Sequence, residues 1–404
     1  MNEKTFVHRP RYLQFLERHK NKHIIKVMSG VRRAGKSVIF ELFREQIRAE
    51  GTDTSHIIDI NFENLTYYEL RDMLKLNAYI ESQITDDSMY YIFLDEIQHV
   101  RNFELVVDSL FIKPNVDLYI TGSNAYFMSG DLATNLTGRY VEMEVLPLSF
   151  AEYVSGQDSA QDVSVLFNEY LLSGFPYLLH TQDDAERIEY LQGIYNTVLL
   201  NDVVSRAGDA QPELLERIIR TLLSSIGSVI SVSKIRNTLE SQGEKISRNA
   251  LGKYVDALTD SLLFYVTPRY DVKGRNLLQR LEKYYTVDLG MRRLLLPDHQ
   301  EDFGHMLENL VYLELRRRFA HVYVGNVGKY EVDFVGITAT GECEYYQVSE
   351  TTLAKETLER ELRPLQAIQD QYPKYLLTMD TVMRTANYEG IRKLNVMDWL
   401  LEAH

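Results

Sequence analysis

Residues 29–40 read SGVRRAGKSVIF, and this stretch decides the fold. It contains G-x-x-x-x-G-K-S, preceded by the apolar run HIIKVMS (23–29) and followed by a helix-forming run, VIFELFREQIR. Strand, glycine-bounded loop and helix in that order make a phosphate cradle. Gly30 and Gly35 let the backbone curl, so that the N–H groups of Val31, Arg32, Arg33, Ala34 and Gly35 turn toward bound phosphates. The positive N-terminus of the following helix adds to that attraction. Lys36 is expected to reach the β- and γ-phosphates of ATP, and the Ser37 hydroxyl to bind Mg²⁺. Arg32 and Arg33 lie inside the loop, as further phosphate contacts, as contacts to a neighbouring subunit, or as outward-facing charges.

The run YYIFLDE (90–96) supplies the partner motif. An apolar strand ending in Asp95 and Glu96 places both carboxylates at a strand's carboxyl edge, where ligands bind in open α/β sheets. Asp95 suits the Mg²⁺ shell, and Glu96 suits the orientation and deprotonation of an attacking water. An acidic cap at a strand end is the plainer reading, and the phosphate loop upstream outweighs it.

Composition sets the outer bounds. A chain of 404 residues, 45% hydrophobic and 25% charged, describes a globular protein of two or three domains. No apolar run approaches the length of a membrane span, and the first residues lack the apolar core of a secretory signal. The single cysteine, Cys343, excludes an internal disulfide framework, so a cytoplasmic location is expected. A net charge of −14 argues against a chain coated in nucleic acid.

The predicted organisation has four parts. Residues 1–150 alternate β-rich runs with helical stretches and predict an α/β P-loop domain with a largely parallel sheet. Residues 151–227 read as a helical lid. Residues 228–296 give helix, turn, helix and strand, the order of a winged helix-turn-helix. Residues 297–404 read as a small further α/β domain. Between Thr267 and Leu294 seven basic residues face three acidic ones, and the second helix carries Arg248, Asn249 and Lys253. That asymmetry suits DNA, although winged helices also pack against proteins and charged runs are often only solvated.

Taken together, HRPRYL, GVRRAGKS, LDEIQ, TGSNAYFMS, LTGR, LPLSFAEY and SGFP resemble a family of prokaryotic AAA+-type P-loop ATPases. The resemblance covers nearly the whole chain. It implies a polar residue set against the γ-phosphate at the end of ITGSN, Asn124 first and Ser123 second, although both are ordinary turn residues. It also implies that Arg139, at the start of the next strand, is an arginine finger acting on a neighbour's site in a homo-oligomer, against the alternative of a solvated strand-start arginine. The C-terminal GHMLENLVYLEL and YEVDFV resemble that family's companion domain of unknown function, which is similar to PD-(D/E)XK nucleases. Glu308 and Asp333 match two nuclease acids, whereas YYQVSE places Gln347 and Ser349 where a glutamate and a lysine belong. A scaffold without cleavage chemistry is expected. The leading reading is an ATPase coupling nucleotide state to a protein partner or DNA. A slowly turning nucleotide-gated switch and an active metal-dependent nuclease are the alternatives.

Overall fold

The computed structural model describes residues 6–123, 136, 138–157, 161–198, 203–204, 211–297 and 303–402. The chain divides into two compact units, Met1–Pro147 with Asp260–Leu262, and Leu148–Thr259 with Leu263–His404.

The first unit is built on strands β1 (Ile25–Ser29), β2 (Ile57–Asn61), β3 (Tyr90–Asp95), β4 (Val116–Gly122) and β5 (Tyr140–Glu144). They form one sheet in the order β2-β3-β4-β1-β5, and every pairing is parallel. β1, β3 and β4 are buried along their whole length, as unbroken apolar runs must be when helices cover both faces of a sheet. The helices are α1 (Pro10–His19), α2 (Lys36–Ala49), α3 (Met73–Gln83) and α4 (Phe103–Phe111). One face of the sheet packs Phe93 and Tyr119 against Phe40 and Phe43 of α2, with Phe93 and Tyr119 stacked at 4.6 Å. The other face gathers Val27, Ile60, Leu94 and Ile120 with Leu76, Ile80 and Leu110 from α3 and α4. The α/β class and the parallel sheet agree with the sequence. Because β1 lies between β4 and β5, its carboxyl end opens beside those of β3 and β4, the usual ligand crevice of such sheets.

The second unit begins with helices Phe150–Ser155, Val163–Tyr170, Asp184–Thr197 and Pro212–Ser224. The first is started by a capping box in which Ser149 and Glu152 satisfy each other's backbone N–H groups. Helices Val232–Ser241 and Arg248–Asp260 follow, then the antiparallel pair β6 (Phe264–Asp271) and β7 (Asn276–Thr286). After helix Phe303–Arg318 come β8 (His321–Val327), β9 (Tyr330–Ile337), β10 (Cys343–Ser349), helix Lys355–Gln366, β11 (Lys374–Thr378), β12 (Ala386–Tyr388) and β13 (Ile391–Asn395). All eight strands join in one sheet, ordered β12-β13-β11-β10-β9-β8-β6-β7. The expected boundary at residues 296–297 thus falls between β7 and β8 of a single sheet. Among the described residues no helix is long and apolar enough to cross a membrane.

Candidate nucleotide-binding site

The loop leaving β1 is shaped by two glycines. Gly30 has φ +143, and a Cβ there would stand 2.2 Å from the Val145 carbonyl oxygen, so the backbone lies directly against the chain leaving β5. Gly35 has φ +100 and starts α2 from a left-handed conformation. Between them Val31 and Ala34 are buried and Arg33 is exposed. Arg32 pairs with Glu63 at 3.0 Å. Behind the loop, buried Arg9 donates from Nη1 to the Ala34 carbonyl (2.8 Å) and from Nη2 to the Leu146 carbonyl (2.9 Å). That guanidinium ties the loop to the segment after β5.

Lys36 occupies the first turn of α2 and is buried. Its Nζ donates to the Gly30 and Val31 carbonyls at 2.9 and 3.2 Å and lies 3.4 Å from Glu96 Oε1. The ammonium is therefore held over the loop by acceptors that an incoming phosphate would replace.

Asp95 and Glu96 end β3 beside that ammonium. Asp95 Oδ1 accepts from Thr121 Oγ1 (2.5 Å) and Oδ2 from Asn61 Nδ2 (2.8 Å), so β4 and β2 fix the carboxylate from both sides. Burial raises its pKa above that of an ordinary aspartate, against hydrogen bonds from Ser37 and Thr121 that lower it. Glu96 has φ +57, uncommon for a residue with a side chain, and its N–H is held by Thr121 Oγ1 at 2.8 Å. Burial would raise the Glu96 pKa too, yet the Lys36 ammonium and the Gln98 hydrogen bond outweigh it and leave the pKa lowered. The glutamate is ionised at neutral pH.

These oxygens fit Mg²⁺. The Ser37 hydroxyl, whose hydrogen bond lowers the Asp95 pKa, and the Asp95 carboxylate are both hard oxygen ligands. Among the described residues no group of three or more His, Cys, Asp or Glu could hold a metal. An ion that keeps several waters and takes its other ligands from phosphates, as Mg²⁺ does, suits such a sparse set.

Of the remaining expected residues, Ser123 is buried at the end of β4 and accepts from Gln98 Nε2 at 3.1 Å. Asn124 lies outside the described residues. Arg139 is not brought to the loop of its own chain. It pairs with Asp108 of α4 and lies over the Phe111 ring, its side chain 44% exposed.

The second unit gathers a separate charged cluster. Lys283 of β7 is buried, with Nζ 2.9 Å from Glu308 Oε1, 2.9 Å from Glu331 Oε1 and 3.8 Å from Asp333 Oδ1. Tyr285 donates to Glu308 at 2.7 Å, and Gln347 donates to Glu361 at 3.0 Å. Ser349 bonds to the Thr351 carbonyl instead (3.1 Å). Two sequence expectations are corrected here. A lysine does stand beside Glu308 and Asp333, reaching them from β7 rather than from the position of Ser349. Lys283 and Arg292, both counted toward a basic surface, are buried.

Sequence reasoning missed the roles of Arg9, Asn61, Thr121, Gln98 and Lys283. Arg9, Gln98 and Thr121 sit within the HRPRYL, LDEIQ and ITGSN motifs, but nothing in the residue types alone assigns those roles.

Residues 22–154 match the family model of an AAA domain, and residues 165–302 match a domain of unknown function (DUF8612). A Haemophilus influenzae protein, called only uncharacterized, is 35% identical over 404 residues, covering 99% of this chain and 100% of that protein. An uncharacterized protein of Methanocaldococcus jannaschii is 29% identical, covering 93% of this chain and 85% of its own length. Among solved structures, the Walker-type ATPase of Pyrococcus abyssi superposes with a TM-score of 0.48 and 17% identity, over 72% of this chain and 97% of that one. That likeness is too distant to inform on function.

Proposed function

Since the chain belongs to one family with the Haemophilus influenzae protein that it matches from end to end, and carries an AAA domain over residues 22–154, we propose that it binds and hydrolyses Mg²⁺-ATP. The observation that carries this reading is the convergence of Lys36, Asp95 and Glu96 at the ends of β1 and β3, with Lys36 Nζ 3.4 Å from Glu96.

In this reading the N–H groups of residues 30–37 and the N-terminus of α2 receive the phosphates, and Lys36 exchanges its carbonyl partners for β- and γ-phosphate oxygens. Ser37 and Asp95 would hold Mg²⁺, which when bound neutralises charge on the phosphates. Glu96, freed from Lys36, accepts a proton from the water that attacks the γ-phosphorus. Ser123 and Asn124 are the γ-phosphate-facing candidates. Arg139 is proposed to serve a neighbouring subunit, which requires a homo-oligomer.

Turnover is proposed to couple to a partner. DNA at Arg248, Asn249 and Lys253 is one candidate, although the burial of Lys283 and Arg292 weakens the case from local charge. The slowly turning switch remains the second reading, favoured by the strength of the internal hold on Lys36. The C-terminal part is read as a scaffold without cleavage chemistry. Gln347 donates to Glu361, and Lys283 neutralises Glu308 and its neighbouring acids.

The test is ATP binding and phosphate release by Lys36→Ala and Glu96→Gln. Lys36→Ala is expected to lose binding. Glu96→Gln should bind normally and hydrolyse about 10²- to 10⁴-fold more slowly. Normal turnover in Glu96→Gln would remove that residue from the mechanism. Phosphate release with and without duplex DNA, at low and high salt, reads out the partner: no change with DNA at either salt would exclude it.

A further inference from the structure

Glu96 does not stand alone. Gln98 lies two residues on, in the short turn Ile97–His99, and its Nε2 donates both to Glu96 Oε2 and to Ser123 Oγ, the latter at 3.1 Å. The neighbouring carboxylate fixes which end of the amide is nitrogen, because a carbonyl there would set two acceptors against each other. The other end, Oε1, is buried and has no hydrogen-bond partner among the described residues. Buried polar atoms are nearly always paired, and the exceptions call for an explanation. Here the unpaired acceptor is carried by the same side chain whose nitrogen holds the base. Two acceptors, the Glu96 carboxylate and the Gln98 carbonyl, are thus linked through one side chain, at the carboxylate that lies 3.4 Å from Lys36. A water molecule, with two O–H bonds at a fixed angle, matches that pair.

We propose that Gln98 is a second water-orienting residue, its amide nitrogen holding Glu96 in place while its carbonyl oxygen accepts a hydrogen bond from the attacking water. This rests on the ATP-hydrolysis reading above. In the step, the water oxygen forms a bond to the γ-phosphorus, and the bond from that phosphorus to the bridging oxygen breaks. The bond's electron pair leaves with ADP. One water proton passes to the Glu96 carboxylate. The other stays on the new phosphate, directed at Gln98 Oε1. With both O–H bonds engaged, the water's lone pair is turned toward phosphorus.

Gln98→Ala and Gln98→Glu, with the wild-type chain, test this by equilibrium ATP binding and by kcat and KM at one pH. Gln98→Ala should bind ATP within about twofold of wild type and lose roughly 10- to 100-fold in kcat. A loss confined to kcat, with KM unchanged, is the signature that a merely structural role would not give. Gln98→Glu restores an acceptor but loses the donor to Glu96, and should keep KM without recovering kcat. Wild-type kcat in Gln98→Ala would overturn the inference alone. Loss of ATP binding in both variants would assign Gln98 to the fold and overturn it too. A wild-type chain that binds ATP without releasing phosphate would overturn the hydrolysis reading, and this inference with it.

Discussion

At Gly30, a φ of +143 and the mere 2.2 Å that would separate a Cβ from the Val145 carbonyl oxygen raise two independent objections to any side chain. Gly30→Ala is expected to weaken ATP binding by tenfold or more and to destabilise the first unit by about 2 kcal/mol or more, read by isothermal titration and urea unfolding. Wild-type values in both would mean that the loop yields where the contact is drawn. The glycine was legible from its motif, because local backbone chemistry alone demands it. Arg9 was not: its carbonyl partners Ala34 and Leu146 lie 25 and 137 residues along the chain, and only the folded sheet brings them to it.

Elements carry their side chains to places that local pattern does not reveal. β7 reads as a basic strand, yet pairing with β6 and packing near helix Phe303–Arg318 deliver Lys283 to a set of carboxylates from that helix and from β9. Lys283→Met should therefore cost about 3–5 kcal/mol, the usual penalty for leaving a buried charge uncompensated. Adding Glu308→Gln should cost less than the sum of the two single changes, a coupling that a double-mutant cycle in urea measures. Additive losses would mean that the ammonium is held by Glu331 and Asp333 without Glu308. The central parallel strands β1, β3 and β4 were legible because their unbroken apolar runs admit few other arrangements. The partnership of β7 was not, because charge in a strand takes its meaning from whatever the topology sets opposite it.

For the whole molecule, the open question is assembly. Arg139 is half exposed and spends its charge on Asp108, away from the phosphate loop of its own chain. If it serves a neighbour, Arg139→Ala should bind ATP normally yet hydrolyse it about 10³-fold more slowly, and mixing it with Lys36→Ala protein should restore part of the lost activity. A monomer at every concentration with ATP present, by size-exclusion mass analysis, would end the trans role.

The eight-stranded sheet has a further bearing on ancestry. The domain-of-unknown-function match ends at residue 302, between β7 and β8. Yet β6 pairs in parallel with β8, Arg269 opposite Val324 and Asp271 opposite Asn326. A gene rearranged at that point would encode one product ending in a bare strand edge and another beginning with orphaned acids. Neither piece could travel alone between genes without a substitute partner waiting for it, so residues 165–402 are expected to descend as one heritable block whatever boundaries sequence similarity draws within them.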